Sequence, residues 1–313
     1  QHAVLKRMVE EKMISLEEAE TAKTETLVFT QPKTDIIAPH FVMYVKDVLV
    51  KKYGEAVVQG GGLEVITTLD ERIQRIAEEA VTSELNRLAG MHVTNGAAIV
   101  IRPATGEILA MVGSKDYFDT VHDGQVNVTI RPRQPGSSIK PLTYAYALSN
   151  KMITPTTMID DAPVVYRTPG SPPYAPQNYD GQFHGKVTVR QALANSYNIP
   201  AVKMLSQIGV SNLVSFAEQM GITTWTNPSR FGLSLTLGGG EVRMIDMTQM
   251  YGVFANGGRL EKSEPIVRVM DFSGKRRDEY LCQPDQKNCG GEQVLEAGVA
   301  FLISDILADN QAR

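Results

Sequence analysis

The chain has 313 residues, room for one large domain or two ordinary ones with a substantial core. Hydrophobic residues make up 42% and charged residues 21%, and 31 Lys and Arg stand against 35 Asp and Glu, so the net charge is −4 with both signs scattered. There is no basic stripe to recruit nucleic acid, and the longest charge-free run, Met204–Ala217, is too short and too polar to cross a bilayer.

The first residues lack a start Met and already show helical spacing, with Leu5, Met8, Val9 and Met13 on one face. The chain is therefore expected to begin inside a longer protein, with no signal peptide. Ser15-Leu-Glu-Glu18 is a capping box that opens a second short helix, so helices are expected across 1–27. Gln31–Pro39 breaks the pattern as a linker. Phe41–Tyr53 is helical again and closes at Gly54, and Leu63–Leu69 alternates as a strand. Asp70 is a natural N-cap for a helix to about Ala89, with Ile73, Ile76, Ala77, Ala80, Val81, Leu85 and Leu88 on its apolar face. Ala97–Arg102 and Glu107–Val112 form a hairpin across the turn Pro103–Gly106. A helix packed on a hairpin is the start of an α+β layered domain.

Beyond the hairpin, a helix is expected over 137–149, and the proline-rich stretch 154–177 reads as an extended surface loop. Helices follow at Val189–Ile208 and Ser211–Met220, separated by Gly209. Another follows Gly238-Gly239-Gly240 at Met244–Ala255, and a last one spans Glu292–Leu307. The two cysteines, Cys282 and Cys289, lie in one polar stretch and are either a local disulfide or two free thiols. Neither they nor the five scattered His residues make a metal-ligand pattern.

Chemistry concentrates at Arg133-Gln-Pro-Gly-Ser-Ser-Ile-Lys-Pro141, which contains Ser137-x-x-Lys140. A Ser at a helix start has free N–H groups and a partial positive charge beside it, which favour an oxyanion. A Lys one turn on can take the Ser proton if burial lowers its pKa. Alone, S-x-x-K also occurs by chance on helix surfaces. A second motif, Ser196-Tyr197-Asn198, follows 59 residues later. Ser196 is suited to relaying a proton to a leaving amine, and Asn198 to hydrogen bonding with a substrate amide. S-x-N alone is more often a cap or a turn. The ordered pair is the pattern of penicillin-binding proteins and serine β-lactamases.

These motifs and their flanks make the chain resemble the transpeptidase region of class A (bifunctional) penicillin-binding proteins along nearly its whole length. The resemblance rests on Gly62–Asp70, Ala97–Gly113, Arg133–Pro141, Asn178–Gly181 with Gly185–Val202, Leu235–Glu241 and Met247–Gly258. It implies a penicillin-binding transpeptidase or serine β-lactamase-like α+β fold: an antiparallel five-stranded sheet flanked by helices, beside an all-helical subdomain. The implied domains are 1–29, the last helices of a glycosyltransferase; 30–69, a linker module; and 70–313, the transpeptidase. The implied reaction is D,D-transpeptidation of peptidoglycan stem peptides, with Ser137, Lys140 and Ser196 catalytic and Asn198, Tyr197, Gly238 and Gly239 substrate-binding. Its partners are a D-Ala–D-Ala donor, an amine acceptor and β-lactams. No cofactor, metal or nucleic acid is implied, and the place is the outer face of the cytoplasmic membrane, anchored upstream. Alternatives are a D,D-carboxypeptidase or β-lactamase-type hydrolase and a non-catalytic β-lactam-binding domain.

One departure stands out: the family's third motif, Lys-Thr/Ser-Gly, occurs nowhere in these residues. In the family it follows the helix that Glu292–Arg313 resembles, so the chain is expected to stop just short of it. The strand carrying it would supply one oxyanion N–H and a cation for the substrate carboxylate. By this reading the active site within the chain is incomplete.

Overall fold

The computed structural model describes residues 1–25, 36–167, 170, 172–282 and 289–313. The chain divides into two units between Ile37 and Ala38. The first holds α1 (His2–Glu10) and α2 (Leu16–Thr24), and Ser15 and Glu18 form the expected capping box at the start of α2.

The second unit opens with α3 (Pro39–Tyr53), α4 (Glu55–Gln59), β1 (Glu64–Thr67) and α5 (Glu71–Arg87). The Asp70 side chain accepts from the Arg72 and Ile73 N–H groups, two donors the helix cannot satisfy itself. Ile76 and Ala80, expected on the buried face of α5, are exposed. Buried Gln74 takes the inner position instead, its Oε1 accepting from Met111 N–H at 2.8 Å and so pinning the helix to the hairpin.

That hairpin is β2 (Ala98–Ile101) with β3 (Ile108–Val112), antiparallel as expected. β3 is buried along its whole length because α3 covers one side through Phe41, Val45 and Leu49 while Ala77 of α5 joins Ala110 and Val112.

A 3₁₀ turn, Gly136–Ile139, leads into α6 (Lys140–Ser149); β4 (Met158–Asp161) then pairs with β5 (Gly185–Thr188). The stretch 154–177 is thus not wholly extended loop, since β4 lies inside it. Next come α7 (Val189–Ala194), α8 (Asn198–Ile208), α9 (Val210–Gln219) and α10 (Met244–Ala255). The single helix expected over 189–208 is broken, because Ser196 turns left-handed at φ +58°. The last elements are β6 (Arg259–Leu260), β7 (Ile266–Met270), β8 (Arg276–Glu279), β9 (Glu292–Gln293) and α11 (Ala297–Ala308). The last helix starts five residues later than its spacing suggests, because Glu292–Gln293 is spent pairing with β6.

Among the described residues the strands form one three-stranded sheet, β1–β7–β8, and three two-stranded ribbons, not a single five-stranded sheet. The β2–β3 ribbon and the three-stranded sheet meet at one parallel bridge, Glu107–Glu264, and at Thr68. There Thr68 Oγ1 lies within hydrogen-bonding distance of the Ile108 and Glu264 carbonyls, at 2.8 and 3.0 Å. A bulge between Ile66 and Thr67 interrupts the ladder, and beyond it the Thr68 N–H donates to the Pro265 carbonyl at 3.1 Å while the Thr68 side chain adds to the backbone pairing.

A separate helical core gathers buried residues of α6 to α11, among them Leu142, Leu205, Leu213, Val253 and Ile303. Cys282 and Cys289 are joined as a disulfide, Cα atoms 5.2 Å apart; the residues between them lie outside the described ones.

Candidate active site

Ser137 and Lys140 lie in the 3₁₀ turn and at its junction with α6, not on a regular α-helix. In a 3₁₀ turn residues i and i+3 eclipse, so the two side chains leave the same face. The Lys140 N–H donates to the Ser137 carbonyl and locks that register. Ser137 is exposed, and among the described residues its hydroxyl makes no hydrogen bond. Its neighbour Ser138 is turned away, donating to the Pro135 carbonyl at 2.6 Å.

Lys140 is 1% exposed. Its Nζ donates to the Ser196 carbonyl, to Ser196 Oγ at 3.1 Å and to Asn198 Oδ1 at 2.6 Å. All three acceptors are neutral, and among the described residues no carboxylate pairs with it. Burial without a counter-charge disfavours the ammonium and brings its pKa down to about 8. No hydrogen bond joins Nζ to Ser137 Oγ in this state among the described residues.

Ser196 owes its position to the end of α7. Its N–H donates to the Leu193 carbonyl and the Tyr197 N–H to the Ala192 carbonyl, the paired bonds of a Schellman closure. The left-handed residue of such a closure is usually Gly; here it is the serine facing Lys140. Asn198, one step into α8, has both ends of its amide engaged, Oδ1 with Lys140 and Nδ2 with the Gln177 carbonyl at 2.7 Å. What it can still offer a substrate is one N–H and one lone pair.

Tyr197 stacks one face on His184, ring centroids 4.0 Å apart and planes 15° from parallel. Thus Ser196 and Asn198 meet at Lys140 Nζ, Ser137 lies one 3₁₀ turn before Lys140, and Tyr197 stands between Ser196 and Asn198.

The glycines behave differently. A Cβ on Gly238 would fall on the backbone of Gly136, and one on Gly239 on Ser234. Both close approaches are to the chain's own atoms, so what Gly238 does in this structure is to let the 3₁₀ turn bearing Ser137 sit flat on it. Gly238→Ala, with φ +92° and no room, should cost about 2–4 kcal/mol of stability. Gly136→Ala meets no atom within 4 Å and should cost only the left-handed strain, about 1–2 kcal/mol. Urea melts of the two variants measure the difference, and equal losses would mean the contact is not tight.

Three further residues outside both motifs support the turn Ser196–Asn198: Asn178 and His184 touch Asn198 and Tyr197, and Asp161 holds both of them. Asn178 falls in a segment that carries the resemblance, but Asp161 and His184 have no sequence signal, since their meeting depends on β4 pairing with β5.

The penicillin binding protein transpeptidase domain family matches residues 96–312. Penicillin-binding protein 2D of Bacillus subtilis is 35% identical over 98% of this chain and 43% of its own length. Penicillin-binding protein 1A of Neisseria meningitidis serogroup A is 32% identical over 83% of this chain and 34% of its own. The crystal structure of penicillin-binding protein 1A from Haemophilus influenzae superposes with a TM-score of 0.76 at 21% identity, covering 99% of this chain and 63% of that one. The chain belongs to the penicillin-binding protein transpeptidase family, with class A proteins as its relatives, and has their α+β fold. It spans less than half the length of these curated relatives.

Proposed function

We propose that the chain carries the D,D-transpeptidase site of a bifunctional peptidoglycan synthase, working through an acyl-enzyme on Ser137. The observation that carries this reading is Lys140: buried, bound only to neutral oxygens, with a pKa near 8 and one 3₁₀ turn from an exposed serine. A lysine so placed is a base at neutral pH. Ser137 Oγ attacks the carbonyl of the penultimate D-Ala as its proton passes to Lys140. The tetrahedral oxyanion takes one hydrogen bond from an N–H of the turn at Ser137, the second donor belonging to the strand of the third motif. Ser196, in contact with Lys140, hands the proton to the departing D-Ala amine. An amine of a neighbouring stem then attacks the ester and restores Ser137. A β-lactam opens on Ser137 by the same steps and leaves no diffusing amine, so the ester persists.

The domain limits 1–29, 30–69 and 70–313 belong to the same reading, as do a membrane anchor and an envelope location. Among the described residues no helix is long and apolar enough to cross a membrane.

The test is covalent labelling of the full protein with a fluorescent penicillin, followed by digestion and mass spectrometry. The adduct is expected on the peptide containing Gly136-Ser137-Ser138, at Ser137, and absent from Ser137→Ala. An adduct on Ser138 or Ser196 would overturn the assignment. Product analysis with a stem-peptide donor and an amine acceptor separates transfer from hydrolysis; hydrolysis alone would make the protein a carboxypeptidase.

A further inference from the structure

We propose that Asp161 and Asn178, locked by His184, are positioning residues for acyl transfer at Ser137, acting through Asn198 and Lys140 without touching the substrate. The proposal rests on the acyl-transfer reading above and assigns roles to residues outside both motifs.

Asp161 ends β4 and is fully buried. A buried carboxylate is costly unless its oxygens are filled, and here they are. Asn178 Nδ2 reaches both oxygens, at 3.0 and 2.8 Å. The His184 N–H donates to Oδ2 at 3.0 Å, and His184 Nδ1 lies 2.7 Å from the same atom. The other ring nitrogen of His184 faces Asp180 at 3.1 Å.

The consequence is directional. An amide has donors at one end and an acceptor at the other. With Nδ2 committed to Asp161 and, at 2.8 Å, to the Gln182 carbonyl, Asn178 Oδ1 must point at the start of α8, where it accepts from the Asn198 N–H at 2.8 Å and the Ile199 N–H at 3.4 Å. Those are among the donors a helix leaves open, and Tyr197, at the N-cap, makes no capping bond with its own side chain. Asn178 caps α8 from outside and so fixes Asn198, whose Oδ1 holds Lys140 Nζ. Meanwhile the His184 ring lies flat against Tyr197, the residue between Ser196 and Asn198. Together they brace the turn in which Ser196 is held left-handed, a conformation that persists only when its surroundings impose it.

An isosteric swap tests this. Asn178→Asp keeps the acceptor toward α8 but sets a second carboxylate against Asp161. The double variant Asp161→Asn with Asn178→Asp restores one donor and one charge in reversed order, but leaves the Gln182 carbonyl without its donor, so recovery is partial. In the full protein, the acylation rate constant for a fluorescent penicillin should fall about 30-fold or more in Asn178→Asp, with pre-acylation affinity unchanged within about two-fold. The double variant should recover about ten-fold of that loss. Hydrogen exchange at the Asn198 and Ile199 amides should quicken in the single variant and slow again in the double.

A normal acylation rate in Asn178→Asp, a loss confined to affinity, or a double variant no better than the single one would each overturn the proposal. Should Asn178→Asp not fold, His184→Gln carries the same test: it should lower the acylation step alone by about ten-fold, and a normal rate would refute the brace. A wild-type protein that forms no penicillin adduct would refute the acyl-transfer reading instead. The exchange data would still decide whether Asn178 caps α8.

Discussion

Lys140→Arg is expected to lower the rate of penicillin acylation of Ser137 by at least about 100-fold, the usual scale of general base catalysis. The substitution keeps the positive charge and the ability to donate to Ser196 and Asn198. It removes only the capacity to become neutral, because a guanidinium does not deprotonate in proteins. The wild-type protein should show the complementary behaviour with pH. A group with a pKa of about 8 is roughly one-tenth neutral at pH 7 and nine-tenths neutral at pH 9. Acylation should therefore climb nearly ten-fold per unit below pH 7 and level off above pH 8, while the Arg variant stays flat. The sign follows from the cause: burial without a counter-charge favours the neutral amine, so the base is present above its depressed pKa and lost below it. Stopped-time labelling across pH 6–9.5 measures both curves. An Arg variant that acylates nearly as fast as wild type would mean another group takes the Ser137 proton.

Ser137 and Lys140 stand out in the sequence only because S-x-N follows S-x-x-K 59 residues later, whereas most elements whose ends are set by short-range chemistry were legible from local pattern alone. Asp70 caps α5, Gly54 ends α3, Gly209 separates α8 from α9, and Met244–Ala255 is helical as its spacing suggests. What the pattern did not show depends on partners distant in sequence. Glu292–Gln293 has helical spacing, yet it pairs with Arg259–Leu260. Ile76 fits the apolar stripe of α5, yet buried Gln74 holds the inner position because the backbone of β3 offers it two hydrogen bonds. Asp161 lies in a proline-rich stretch and gains meaning only when β5 delivers His184 beside it. The glycines at 238 and 239 announce a close approach without saying to what; the answer is the chain itself. The break at Ser196 was hidden for a similar reason. A Schellman closure usually carries Gly at the left-handed position, and a serine there gives no warning.

That serine leads to the second large effect, in which two variants should differ in stability in an inverted order while both lose the reaction. At most positions Gly is less stabilising than Ala, by about 0.4–1 kcal/mol, because it adds freedom to the unfolded chain. At Ser196, φ is +58°, where an L side chain costs about 1–2 kcal/mol and Gly costs nothing. The order should therefore invert, with Ser196→Gly more stable than Ser196→Ala by about 1 kcal/mol. Neither variant removes the Ser196 carbonyl, so Lys140 keeps that contact and its bond to Asn198 and stays in place. Both variants lose the hydroxyl 3.1 Å from Lys140 Nζ, and with it the relay to the leaving group. Transfer from a stem-peptide donor should fall by about 100- to 1,000-fold in each. Acylation by a β-lactam, whose leaving amine stays tethered after ring opening, should fall less. Thermal melts and labelling of the two variants side by side check this. If Ser196→Ala proves the more stable of the pair, the left-handed backbone is not strained as described. If either variant transfers at the wild-type rate, the proton reaches the leaving amine by another route. The joint outcome, with the Gly variant the more stable of the two and neither able to react, would mean that the left-handed turn carries a serine for the hydroxyl it presents.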